Sequence, residues 1–262
     1  MLNEEKIRDC LTAECPSLEY FKSIDSTNSY LKREAMNAMP HGAVAVANEQ
    51  SAGRGRMGRS FQSPTGKGLY LSVLLRPSLP TEKLLHATGM AAVAAARAVE
   101  KTCGARVGIK WTNDLVLGGR KLCGILAETV MQGRETALII GVGINVHQAR
   151  EDFDGDVAEI ATSLAAEGYC ADRSQLAAAL VEELYRLGED LGGEIERYLA
   201  EYRSRCVTIG RQVRLMWTEG QERAFAEDID GDFGLLVRGA DGTVTAVRTG
   251  EVSVRGLYGY VE

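Results

Sequence analysis

The chain has 262 residues, 45% hydrophobic and 25% charged, the composition of an ordinary globular protein with room for one large domain, or for one large and one small. A net charge of −6 argues against binding nucleic acid through bulk charge, and no apolar run reaches the length of a membrane span. Six cysteines without any C-x-x-C pairing, and a charged N-terminal stretch without a signal-peptide core, lead us to expect a reduced, cytoplasmic protein.

Helical spacing over residues 3–14 precedes a strand expected at 17–24. Asp25, Ser26, Thr27 and Asn28 then form a run of helix-capping side chains ahead of a helix reading SYLKREAMNAM. One residue suffices to cap a helix, so the run leaves polar groups free for a ligand at the helix N-terminus. A strand at 42–48 leads into NEQSAGRGRMGRSF, residues 48–61, where Gly53, Gly55, Gly58 and Arg54, Arg56, Arg59 fall within one short stretch. Glycine lets the backbone approach a ligand, and arginine brings a planar charged fork suited to carboxylate and phosphate. The loop reads as a basic clamp for an anionic small molecule.

Further strands are expected at 69–75, 107–111 and 115–117, a long helix at 81–103, and a hairpin of long strands at 122–131 and 135–146. Residues 152–160 are acidic and read as a mobile loop; 174–191 and 194–205 read as amphipathic helices. After Cys206 come short alternating segments at 213–216, 222–229, 234–238, 243–248 and 251–255. Turn signals at Glu219-Gly220, Gly231-Asp232, Asp241-Gly242 and Gly250 separate them, which describes a small antiparallel barrel.

Two familiar spellings are rejected by their context. Residues 53–58 match G-x-G-x-x-G and Asp232-Phe233-Gly234 spells DFG, in the order of a protein kinase. None of the histidines (His41, His86, His147) precedes Arg-Asp, no V-A-I-K strand follows the glycines, and the chain after Gly234 is β-patterned. Gly58 opens no helix, which removes the dinucleotide-fold reading as well. The scattered histidines also give little support to a zinc site or a Ser-His-Asp triad.

Four more stretches are unusual for pure structure: KWTND at 110–114, RKLCGIL at 120–126, GVGIN at 141–145 and TGEVSVR at 249–255. With DSTN and the GRGRMGR loop, in this order, they resemble the biotin–protein ligases over nearly the whole chain from Asp25 to Arg255. The resemblance implies an α/β (α+β) catalytic domain over residues 1–206. Its mixed sheet with flanking helices would be related to class II aminoacyl-tRNA synthetases, and a C-terminal SH3-like β-barrel would occupy 207–262. It also implies an ATP- and Mg²⁺-dependent enzyme that makes biotinyl-5′-AMP and passes biotin to a lysine of a biotin carboxyl-carrier protein.

On the same ground Ser26, Thr27, Asn28, Gln50, Gly53, Arg54, Gly55, Arg56, Lys121 and Gly124 would bind biotin, with Arg54, Arg56 and Lys121 catalytic. Arg56, Arg59, Phe61, Lys110, Asn113 and Asn145 would bind nucleotide, and Asp114 would hold Mg²⁺. The chemistry agrees with these assignments. Hydroxyl and amide side chains can pair with a ureido group, and cations can bring a carboxylate and an α-phosphate together. Three positions depart from the family pattern: Phe61 stands where tryptophan is common, Thr112 replaces a usual proline, and Met57 lacks a charge some relatives carry.

Only 24 residues precede Asp25, too few for a winged DNA-binding domain, so neither a DNA nor a membrane partner is expected; a homodimer stays open. The competing readings are a lipoate or octanoate ligase and a non-catalytic biotin sensor. The polar DSTN and Gln50 favour a ureido ligand over an acyl chain, and the retained cations favour transfer over sensing.

Overall fold

The structure, a computed structural model, describes residues 2–133, 135–217, 220–248 and 253–256. Helix α1 (Glu4–Cys10) is capped by Asn3, whose side chain accepts from Lys6 N. Strand β1 (Leu18–Phe21) is followed by α2 (Thr27–Ala35), β2 (Ala43–Ala47) and β3 (Gly68–Leu75). Next come α3 (Ala87–Cys103), β4 (Gly108–Lys110), β5 (Asp114–Leu117), β6 (Arg120–Gln132) and β7 (Glu135–Asn145), then α4 (Arg173–Asp190) and α5 (Ile195–Arg205). The seven strands form one sheet in the order β1-β2-β3-β7-β6-β5-β4, in which only the β1–β2 pair is parallel.

The two faces of this sheet differ, and the difference creates the site. Side chains alternate along each strand, so Leu69, Leu71, Val73 and Leu75 of β3 share a face with Ile140, Val142 and Ile144 of β7. These residues join the main core with the alanine-rich α3 and with α4. On the opposite face the cross-strand rows run Ala43–Leu74–Ile139, then Ala45–Ser72–Gly141–Leu126, then Ala47–Tyr70–Gly143–Gly124–Asp114. Helix α2 covers the first row with Leu31 and Ala35. The next two rows carry small residues near their centre, and a trough is left open there.

Beyond α5, strands β8 (Gln212–Trp217), β9 (Gly220–Ile229), β10 (Leu235–Arg238), β11 (Val244–Val247) and β12 (Ser253–Gly256) form an antiparallel sheet in the order β11-β10-β9-β8-β12. Among the described residues no ladder joins β11 to β12. The DFG spelling is the β9–β10 turn, as expected, yet Phe233 is buried and wedged against Gly89 of α3 and Tyr202 of α5. The indole Nε1 of Trp111 donates to Phe233 O at 2.9 Å.

Several expected elements change their limits. The helix expected at 3–14 stops at Cys10, because Thr12 N and Oγ1 bond instead to Glu182 of α4. The strand expected at 17–24 shortens to β1, with Ile24 keeping a bridge to Gln50. The helix expected at 81–103 begins as a 3-10 turn, Thr81–His86, before α3. Residues 152–160 contain the 3-10 turn Gly155–Val157 and lead to a bridge between Ala161 and Lys121. Glu219 of the first barrel turn, and Thr249 to Val252 with the Gly250 turn, lie outside the described residues. No helix among the described residues is long and apolar enough to cross a membrane.

Candidate active site

The polar end of the trough is built where α2 begins. Ser26 caps the helix, its Oγ accepting from Ser29 N at 3.4 Å. Thr27 N and Oγ1 donate to Gln50 Oε1 at 2.9 and 3.2 Å, and Gln50 Nε2 donates to Ser63 Oγ at 2.9 Å. Ser72 Oγ lies 2.7 Å from Thr27 Oγ1 and 2.6 Å from Asn28 Oδ1. Asn28 Nδ2 donates to Leu126 O and to Glu128 Oε2, both at 3.1 Å. Buried polar groups need partners, and this network fixes the orientation of each amide and hydroxyl. Gln50, expected to face a ligand, has both ends of its amide engaged inside the network.

The floor is the glycine-rich part of the sheet. A Cβ on Gly141 would collide with Asn28 Oδ1, and one on Gly143 would lie 2.7 Å from the Phe61 ring. Phe61 also borders Gly124 and meets Tyr70 edge-on, with ring centroids 6.4 Å apart. The trough is open to solvent and lined by Ser26, Thr27, Asn28, Gln50, Arg54, Phe61, Tyr70, Leu126, Val142 and these glycines.

The basic loop is a hairpin over one side of this space. Phe61 N donates to Gly53 O at 2.9 Å, Arg54 bridges Ser60, and Gly55 N donates to Arg59 O at 2.7 Å. A 3-10 turn, Arg56–Gly58, closes it with left-handed backbone at Met57 and Gly58. Its arms are anchored separately. Arg54 Nη1 bonds Glu128 Oε2 at 3.1 Å, while Arg56 Nη1 bonds Thr112 Oγ1 and Asn113 Oδ1, both at 3.0 Å. Burial lowers the Arg56 pKa and Asp114 opposes the shift; a guanidinium stays charged regardless. Arg59 is exposed on the hairpin.

A bulge supplies the third cation. Leu115 pairs with Cys123 but Val116 pairs with Lys121, which leaves Leu122 as an extra residue in β6. The extra residue reverses the side-chain alternation and brings Lys121 to the trough face beside Gly124, with Nζ 2.7 Å from Asp114 Oδ1. The Lys121 backbone is held by Ile160 O and Thr162 N. Asn113, Asp114, Arg56 and Lys121 therefore meet just past Gly124. Lys110 is buried and pairs in register with Asp114 across β4 and β5. Asn145 lies two residues beyond Gly143 on the same face of β7 and is not among the residues lining the trough; its Nδ2 donates to Thr162 O and its Oδ1 accepts from Gln148, both at 2.9 Å, so it orders the segment after β7.

Sequence reasoning missed Ser63, Ser72 and Glu128. Glu128 takes Lys32 Nζ at 2.8 Å on one oxygen, and Asn28 and Arg54 on the other. Burial raises its pKa, but hydrogen bonds from Lys32 and Asn28 and the charges of Lys32 and Arg54 outweigh burial and hold it below the usual glutamate value. The available signal was its spacing, on the same strand face as Gly124 and Leu126. Asp114 does not fit a metal centre by itself: its carboxylate is engaged by Lys121, and no group of three carboxylate, histidine or cysteine side chains placed to hold a metal ion is found among the described residues.

The Biotin/lipoate A/B protein ligase family matches residues 20–145. The chain is 36% identical to the bifunctional ligase/repressor BirA of Bacillus spizizenii, over 92% of this chain and 76% of that one. It is 35% identical to the biotin–[acetyl-CoA-carboxylase] ligase of Mycobacterium tuberculosis, over 96% of this chain and 95% of that one. Among solved structures, the Aquifex aeolicus biotin protein ligase in complex with biotin and ATP superposes with a TM-score of 0.78 at 26% identity, covering 92% of this chain and 99% of that chain. With a relative at this identity aligned along almost its entire length, and a solved biotin protein ligase sharing its fold, the chain belongs to the biotin–protein ligase family of enzymes.

Proposed function

We propose that this enzyme attaches biotin to a lysine of a biotin carboxyl-carrier protein, using ATP and passing through biotinyl-5′-AMP. The observation that carries the reading is the placement of two cations, Arg56 and Lys121, at one end of a trough whose other end is a buried polar network. Biotin has the matching shape. Its ureido ring would meet Ser26, Thr27 and Asn28, the bicycle would lie over Gly141 and Gly143 against Phe61, and the carboxylate would reach Arg54, Arg56 and Lys121. Gln50 acts through Thr27 and Ser63.

ATP would bind beyond Gly124, near Asn113, Arg59 and Lys110. In the first step a biotin carboxylate oxygen attacks the α-phosphorus and pyrophosphate leaves. Arg56 and Lys121 neutralise charge on both reactants, and that charge is greatest at the five-coordinate phosphorus. In the second step a carrier lysine amine attacks the anhydride carbonyl, loses a proton and releases AMP. No side chain of the enzyme becomes acylated.

The division into a catalytic domain at 1–206 and a C-terminal module at 207–262 is part of this proposal, supported by the separate five-stranded sheet that begins with β8. Unpaired cysteines at all six positions support a cytoplasmic site of action. The deciding experiment incubates purified protein with a carrier domain, ATP and biotin, octanoate or lipoate, followed by intact mass. A mass gain of biotin that requires ATP is expected. Acylation by octanoate or lipoate alone, or biotin binding without transfer, would overturn the reading.

A further inference from the structure

Glu128 lies on β6 two and four residues beyond Leu126 and Gly124, on the trough face. Its carboxylate is mostly buried, and its three partners come from two elements that do not otherwise share an ion pair in the described residues. Asn28 and Lys32 belong to α2, one turn apart, and Arg54 belongs to the hairpin. Asn28 Nδ2 is fixed between Leu126 O and Glu128, so Asn28 Oδ1 must face Ser72 and the glycine floor. Arg54–Glu128 is the one ion pair that ties the hairpin to the sheet among the described residues, since Arg56 is anchored by neutral oxygens.

We propose that Glu128 is a positioning residue for the biotin half-site: one carboxylate sets the Asn28 amide and latches the Arg54 arm of the hairpin over the trough. The inference rests on the biotin-ligase reading for its ligand. Its structural half, that Glu128 holds the hairpin down, stands independently of what the trough binds. Lys32 is the internal control. It shares the carboxylate but reaches neither the hairpin nor the trough lining.

The test compares Glu128→Gln, Glu128→Asp and Lys32→Ala in the full chain. The first readout is trypsin cleavage at Arg54, Arg56 and Arg59 without ligand, mapped by mass. The second is KM and kcat in biotin-dependent ATP–pyrophosphate exchange. Glu128→Gln keeps the volume and loses the charge. It should speed hairpin cleavage and raise the biotin KM by roughly threefold to tenfold, as expected for a charge-assisted pair between a mostly buried carboxylate and an exposed arginine, with kcat altered less. Glu128→Asp, which keeps the charge, should recover part of both effects, and Lys32→Ala should stay within about twofold of the parent. Thermal unfolding of each variant identifies any that fail to fold. Hairpin cleavage in folded Glu128→Gln equal to the parent overturns the latch, as does a Lys32→Ala effect of equal size. Absence of biotin-dependent exchange in the parent would instead overturn the proposed function, and the cleavage result would be unaffected by it.

Discussion

At Gly141 a hydrogen atom in place of a methyl group decides whether Asn28 can enter the sheet face. Gly141→Ala would drive a Cβ into Asn28 Oδ1, which Ser72 and the sheet hold from the other side. Overpacking of this kind costs about 1–3 kcal/mol. We expect lower stability in urea unfolding and at least roughly tenfold weaker biotin binding by calorimetry; unchanged affinity would show that the Asn28 amide is not a ligand contact. Glu128 gives a pH signature at the same scale. Its folded pKa is lowered from the ordinary 4.5, so its stabilising contribution is complete above that value and is lost as pH falls through the folded value. The parent should therefore lose melting temperature more steeply than Glu128→Gln does as pH falls below the ordinary glutamate value, and identical slopes would contradict the ion-pair assignment.

At the scale of elements, the hairpin of residues 53–61 works because its two anchored arms end on different parts of the sheet. Arg54 reaches β6, and Arg56 reaches the turn between β4 and β5, where Thr112 and Asn113 accept its hydrogen bonds. The second anchor places a guanidinium beside Asp114 and Lys121. Arg56→Ala should lower biotin-dependent pyrophosphate exchange about a hundredfold, on the order of 3 kcal/mol in the barrier, with an unchanged circular dichroism spectrum. A residual rate within about threefold of the parent would remove Arg56 from the catalytic set.

Across the whole molecule, the β9–β10 turn of the C-terminal sheet reaches toward the site. Phe233 packs on Gly89 and Tyr202 and accepts from the Trp111 indole; Tyr202 in turn donates to Thr112 O at 3.0 Å. Thr112 is also an Arg56 anchor, so the wedge and the hairpin share a residue. Truncating a buried phenylalanine costs about 3–5 kcal/mol. Phe233→Ala should lose stability of that order and, where it still folds, show a higher KM for ATP than for biotin relative to the parent. Equal changes in both constants would mean that the turn acts on stability alone.

Much of the site was legible in the sequence because its chemistry is local. Capping side chains at DSTN, the arginines of the hairpin, and the glycines of GVGIN each announce a backbone or charge requirement within a few residues. The strands and helices were legible for the same reason, since hydrophobic period depends on near neighbours. What lay beyond reach depends on register and on distant partners. A one-residue bulge turns Lys121 toward Asp114. Asn145, spelled like a ligand contact, is bonded by Thr162 and Gln148. The carboxylate of Glu128 lies 100 residues from Asn28 and 74 from Arg54 along the chain. The sequence by itself determined the elements, the family and the cations. Only the tertiary structure decided which polar groups face the trough and which hold one another, because pairing across strands depends on register and curvature that no local pattern encodes.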